Sequence, residues 1–224
     1  MARQYVRDRL LGQQFPVQDS ITVYPSALVR EFYQPTLPPR DALRIGYAGL
    51  VIASKGVHIL LEALQRLQQQ GIPFTCSIAG DAIHGEYKKE LDQYIEQAGL
   101  GDCVSFAGLL DRQQLVAFHR QPNILVFPSI MDEAFGITQV EAMAAGRTVI
   151  TSGVGGAAEV VENGVSGLTV PPNDSVILAG ALYHLLKNPD QWATIAQQGQ
   201  QQALEKFDIK RSVAQLEIQF QKLF

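Results

Sequence analysis

The stretch ILVFPSIMDEAFGITQVEAMAAGRTVIT, residues 124–151, decides the fold. It opens on an apolar run, 124–127, and closes on a second short run, 148–151. Between them lies a predicted helix over 137–145, in which Val140, Ala142, Met143, Ala144 and Ala145 are all apolar or small. Strand, loop, helix and strand in immediate succession mark one unit of a parallel sheet, because the helix carries the chain back to the starting edge.

The same alternation runs on either side. Further strands are predicted at 43–48, 74–79, 104–107 and 168–170. Helices are predicted at 55–70, 85–98, 112–119, 157–162, 174–187 and 189–205. In the first of these, Val57, Leu60, Leu61 and Leu64 recur at helical spacing, giving one apolar face. Repetition of this kind, with short glycine-containing connections, predicts an α/β fold with a doubly wound parallel sheet. Ligands of such sheets lie outside the carboxyl ends of the strands. The loops expected there are 49–56, 80–81, 108–110, 128–136 and 152–156.

Upstream, residues 3–12 read as a short helix and 21–24 as a strand. The segment QPTLPPR, 34–40, holds three prolines and can continue neither helix nor central strand. A boundary is placed there, with 1–40 as a leading segment and linker and 41–224 as the main domain with its C-terminal helices.

The chain has 224 residues, 46% hydrophobic and 18% charged, enough to bury a substantial core in an ordinary globular protein. A net charge of −4 argues against a nucleic-acid-binding surface but leaves phosphate recognition open, since one lysine and backbone amides suffice for that. Cys76 and Cys103 both fall in apolar runs and read as reduced core thiols. There is no CxxC and no Cys/His cluster, so no metal site is expected. No stretch resembles a signal peptide or reaches about 18 apolar residues, and the expected localisation is cytoplasmic.

Within 128–146, Glu133 and Glu141 stand eight positions apart around a Phe135-Gly136 turn that opens a helix. A helix N-terminus offers free N–H groups to phosphate, here those of Gly136, Ile137 and Thr138. Carboxylates on either side can accept from vicinal hydroxyls, which suits a sugar nucleotide. A structural reading makes Asp132 or Glu133 a favourable charge before a helix, worth about 0.3–1 kcal/mol. Glu141 is harder to explain so, because a carboxylate among small apolar residues needs a partner. Lys55-Gly56 follows a strand and opens a helix, where the lysine sits against the dipole and can reach a diphosphate.

His58, His84, His119 and His184 share no metal or triad spacing and read as surface or packing residues. Gly153, Gly155 and Ala158 match GxGxxA, with Asp174 21 residues after Gly153, the outline of a dinucleotide fingerprint. The short helix that follows, and the four strands that precede it, argue against that role.

Together, AGLVIASKG, SIAGD, VSFAGLL, VFPS, the E-x7-E of EAFGITQVE, EAMAAG, SGVGGAAEVV and NGVSGLTVPPND resemble, in order and approximate spacing, a known family. From 44 to 189 the chain resembles the C-terminal donor-binding domain of retaining GT-B glycosyltransferases of family four (glycosyl transferases group 1), with its Rossmann-like sheet. Residues 1–40 resemble the last helix and linker of the N-terminal domain, with VYPSALVREFYQP in place of the usual connecting strand and turn.

The resemblance implies a nucleotide-sugar donor as partner and no metal or other cofactor. It implies Lys55 on the donor diphosphate, Leu110 beside the base, Glu133 on the hydroxyls of the transferred sugar, and Glu141 on the ribose. Phe135, Gly136 and Ile137 would supply backbone to sugar and phosphate. Lys55 and Glu133 carry the catalytic expectation, with retention through front-face attack at an oxocarbenium-like centre.

The chain departs from the family at two points. Leu50 stands where the family usually has an arginine, which should weaken leaving-group stabilisation by about 1–3 kcal/mol. The N-terminal acceptor domain, with its usual histidine, is not in this sequence. The expectation is therefore half an enzyme, inactive alone, from a longer or naturally split protein; a membrane-associated acceptor is compatible with the family. Two rivals stand beside it: a non-catalytic nucleotide-sugar-binding or regulatory module, and a GT-B sugar-nucleotide hydrolase or epimerase.

Overall fold

Side chains alternate along each central strand between two apolar layers. Leu43, Ile45 and Tyr47 of β1 (Leu43–Ala48) enter one layer with Ile124 and Val126 of β4 (Ile124–Phe127). Ala48, Leu125 and Phe127 enter the other, with Val149 of β5 (Thr148–Thr151). Strands buried on both faces need helices on both faces, which is why they read as continuous apolar runs. The computed structural model describes residues 2–13, 29–83 and 85–221. The strand expected at 21–24 and His84 lie outside these residues.

The sheet is completed by β2 (Phe74–Ala79), β3 (Val104–Gly108) and the two-residue β6 (Leu168–Thr169). Its order is β3-β2-β1-β4-β5-β6, and every pairing is parallel. The chain thus winds outward from β1 in one direction, then restarts beside β1 with β4 and winds the other way. The crevice between β1 and β4 is the switch point, where such sheets take ligands.

The helices are α1 (Ala2–Gly12), α2 (Val29–Phe32), α3 (Val57–Gln69), α4 (Gly85–Gln97), α5 (Arg112–Phe118), α6 (Ile137–Ala144), α7 (Ser175–Lys187), α8 (Pro189–Lys206) and α9 (Ile209–Gln221). The first layer is filled by Leu60, Leu61, Leu64 and Leu67 of α3 and by Leu178 and Leu182 of α7. Each such leucine contributes about 1.5–3 kcal/mol by leaving water. The second layer is filled by α6, with Phe32 of α2 and Phe118 of α5. Two helix starts follow from local chemistry. Asp111 and Gln114 form a capping box on α5, and Asp174 accepts from Val176 N and Ile177 N at the start of α7.

Three details differ from the sequence expectations. Lys55 ends a 3-10 turn, Ala53–Lys55, and α3 begins only at Val57, because Gly56 between them has φ 70°. The helix expected at 157–162 is a 3-10 turn, Gly156–Glu159, tied down by Gly156 N donating to Glu133 O. Helices α2 and α9 were not expected at all.

Candidate functional site

The carboxyl ends of β1 and β4 and the N-terminus of α6 enclose a cavity of about 270 Å3 at the switch point. Tyr47, Ala48, Gly49 and Leu50 line it from β1, Phe127 and Ser129 from β4, and Gly136, Thr138 and Gln139 from α6. Lys55 and Glu133 complete it. All five loops named from the sequence follow strand carboxyl ends, and backbone contacts bind them together. Val51 N donates to Asp81 O, Gly80 N to Gly108 O, Ile130 N to Ser54 O, and Ser152 Oγ to Ser129 O.

The central contact is an ion pair. Lys55 Nζ lies 2.5 Å from Glu133 Oε1, and Ser129 Oγ donates to the same oxygen at 2.5 Å. Oε2 makes no hydrogen bond to a described residue. The backbone of Glu133 is held on its other side, where Gly155 and Gly156 pack directly beneath it. A Cβ on Gly156 would stand 2.1 Å from Ala134 O, and one on Gly155 2.7 Å from Glu133 O. Gly155 of the apparent dinucleotide fingerprint, with its neighbour Gly156, is thus required for this close approach, and Asp174 serves as the cap of α7. Tyr47 braces the opposite wall by donating from its hydroxyl to Leu50 O at 2.7 Å. Burial, with a smaller effect of Glu133, pushes its phenol well up, so it stays a neutral donor.

The remaining expected residues distribute around this centre. Gly136 is the N-cap of α6 at φ 101°, and Ile137 and Thr138 begin the helix, so their amides lie at its free N-terminus. The Phe135 ring is buried edge-on against Phe207, which leaves only its backbone for a ligand. Leu50 stands on the rim, 42% exposed. Leu110 and Glu141 lie outside the cavity lining. Leu110 packs against the second apolar layer just before α5. Glu141 is 4% exposed, and its carboxylate meets Arg112 Nη1 at 2.8 Å, which is the partner its setting demanded. Burial pushes the Glu141 carboxyl up, and Arg112 opposes that shift.

Sequence reasoning missed Ser129, Arg112 and Gln139. Ser129 could have been found from its spacing four residues before Glu133. Gln139 is buried at the cavity with its Oε1 unpartnered. A larger cleft, about 620 Å3, adjoins the cavity between α1 and residues 131–134, with Tyr5, Arg9, Leu10 and Met131 in its walls. Glu133 borders both spaces. The smaller is the better candidate, because the switch point, the helix N-terminus and the lysine meet there. Among the described residues, no group of three or more His, Cys, Asp or Glu could hold a metal. None of the described helices is long and apolar enough to cross a membrane.

The order of the sheet and the placement of these loops define the Rossmann-like C-terminal half of a GT-B protein. The chain belongs to the glycosyl transferases group 1 family, whose model matches residues 30–202. The glycogen synthase of Mycobacterium tuberculosis is 33% identical over 175 residues, covering 78% of this chain and 41% of that protein. The D-inositol 3-phosphate glycosyltransferase of Corynebacterium urealyticum is 31% identical over 169 residues, covering 74% of this chain and 40% of that protein. Among solved structures, Anabaena Alr3699/HepE in complex with UDP and glucose superposes with a TM-score of 0.87 at 27% identity, covering 98% of this chain and 61% of that one. The chain thus spans about two fifths of the length of these two curated relatives.

Proposed function

We propose that this chain is the nucleotide-sugar-binding half of a retaining glycosyltransferase. The observation that carries the reading is the Lys55–Glu133 pair, 2.5 Å apart beside the N-terminus of α6 in the switch-point cavity. A cation and a row of free amides together suit a diphosphate, and the carboxylate beside them suits sugar hydroxyls. The complexes of Anabaena Alr3699/HepE with UDP support a nucleotide as the ligand.

In this reading the diphosphate draws Lys55 away from Glu133 and settles on it and on the amides of Ile137 and Thr138. Glu133, released, accepts from hydroxyls of the transferred sugar; Glu141 accepts from the ribose, and Leu110 lies beside the base. The bond from the anomeric carbon to the diphosphate breaks with its electron pair going to the departing phosphate. The acceptor oxygen bonds on the same face, and its proton passes to the departing phosphate oxygen. Lys55 and the helix amides lower the barrier by being aimed in advance at that developing charge. No metal is required, because these groups supply the positive potential. Residues 1–40 form the end of the acceptor half and its linker, and transfer requires the rest of that half.

Leu50 favours a second reading. With an aliphatic side chain at the cavity rim where relatives of this type usually have a cation, the chain would bind a nucleotide without transferring a sugar.

Calorimetric titration of the chain with UDP, GDP and ADP, without metal, tests the donor site. Binding of one of them is expected and names the donor class. A folded chain that binds none overturns the proposal.

A further inference from the structure

Arg112 is shared between two carboxylates on different helices. Its Nη1 donates to Glu141 Oε1 at 2.8 Å, and its Nε donates to Glu31 Oε2 at 2.9 Å. The guanidinium carbon also lies 4.6 Å from the centre of the Phe32 ring. Three anchors fix its plane. The Glu141 side chain is 5% exposed and that of Arg112 41%, so the acid is buried and the cation sits at the rim above it. Oε2 of Glu141 makes no hydrogen bond to a described residue.

A carboxylate gripped at one oxygen by an oriented guanidinium cannot swing, and its other oxygen keeps two acceptor positions for a ligand. We propose that Arg112 is a positioning residue for nucleoside recognition, fixing the Glu141 carboxylate so that Oε2 accepts from the vicinal hydroxyls of a ribose. This rests on the ribose role of Glu141 proposed above. It explains why the first turn of α5 carries a doubly paired arginine two residues after Leu110, the residue proposed to flank the base.

The cation has a second task, since burial alone works against ionisation of Glu141. Of the elements packed on α6, α2 offers Glu31 and Arg30, the latter paired with Asp208. Strands β4 and β5 carry no charged side chain. From α8, Gln200 reaches Ala144 O. His119, at the end of α5, is held neutral by burial, and Arg147 follows α6. Arg112 is the cation in direct contact with Glu141. Without it the acid is left buried beside Glu31 and takes up a proton at higher pH, losing acceptor strength.

The test is calorimetry with UDP across pH 5.5–8.5 on the wild-type chain, Arg112→Met and Arg112→Lys, together with a nucleotide-free carboxyl NMR titration of Glu141. Arg112→Met should bind UDP about tenfold more weakly near pH 6 and regain part of that near pH 8.5. Its Glu141 midpoint should move up. Arg112→Lys keeps the charge but cannot fork to both acids, so it should restore the midpoint and only part of the affinity. Glu31→Gln, an exposed change that loosens the guanidinium, should weaken UDP severalfold and covers the case of a methionine variant that does not fold. Arg112→Met with wild-type affinity and pH profile overturns the positioning role while leaving the donor site standing. Tighter binding by that variant overturns it too, making Arg112 a competitor of the ribose. A wild-type chain that binds no nucleotide overturns the donor site, and this role with it.

Discussion

Gly56 lies so close to Pro128 that a Cβ on the glycine would stand 2.0 Å from the Pro128 carbonyl oxygen. That contact joins the loop after β1 to the loop after β4, and with φ 70° Gly56 also turns the chain from the Lys55 turn into α3. Gly56→Ala would meet both a left-handed backbone and a rigid carbonyl. It should destabilise the fold by about 1–3 kcal/mol or more. Urea unfolding measures this, and an unchanged midpoint would show that the two loops can separate freely.

Replacing Leu50 by arginine should strengthen UDP binding about tenfold, since a second cation joins Lys55 at the diphosphate. The side chain stands on the rim, so the longer residue displaces nothing from the core. Titration of Leu50→Arg against the wild type decides it. No gain means that another group already serves the second phosphate.

Glu141→Gln keeps the shape of the side chain and one acceptor, but removes the charge that Arg112 uses and that the proposed ribose contact needs. UDP affinity should fall at least about tenfold. Thermal unfolding should change little, because Arg112 retains Glu31 and contact with water. Equal affinity in a folded variant refutes the ribose assignment.

Acid should weaken the fold through His119. The ring is fully buried, its Nδ1 is hydrogen-bonded to Leu115 O, its Nε2 is unpartnered, and burial pushes its pKa down to about 4. The unfolded chain takes up that proton near pH 6.5. The contribution is therefore fully present above about pH 6.5 and is lost as pH falls toward about 4, by roughly 3 kcal/mol in all. Urea midpoints at pH 7 and pH 5 should drop further in the wild type than in His119→Phe. Equal losses would assign the effect to other groups.

Much of the fold was legible because strands buried on both faces are continuous apolar runs, and because a parallel sheet sends every strand–helix loop to one edge. Strand order was not legible, since nothing local in residues 124–127 says that they return beside β1. That Lys55, Glu133 and Gly136 would meet at one cavity was legible, because charge and turn chemistry are local there. Arg112 was not, because its partner lies 29 residues away on another helix and its own segment reads as polar surface. The misread helix at 157–162 has a similar cause: its glycines answer to Glu133 and Ala134 across the loop rather than to their neighbours in sequence.

The ion pair between Lys55 and Glu133 also bears on how a ligand arrives. Paired with Glu133 the lysine is already neutralised, and the chain carries a net charge of −4. A nucleoside diphosphate is therefore not drawn in from a distance. Attraction does not steer the encounter, added salt should if anything speed it by screening the repulsion, and in the proposed site discrimination begins only when the phosphates reach Lys55 and part it from its acid.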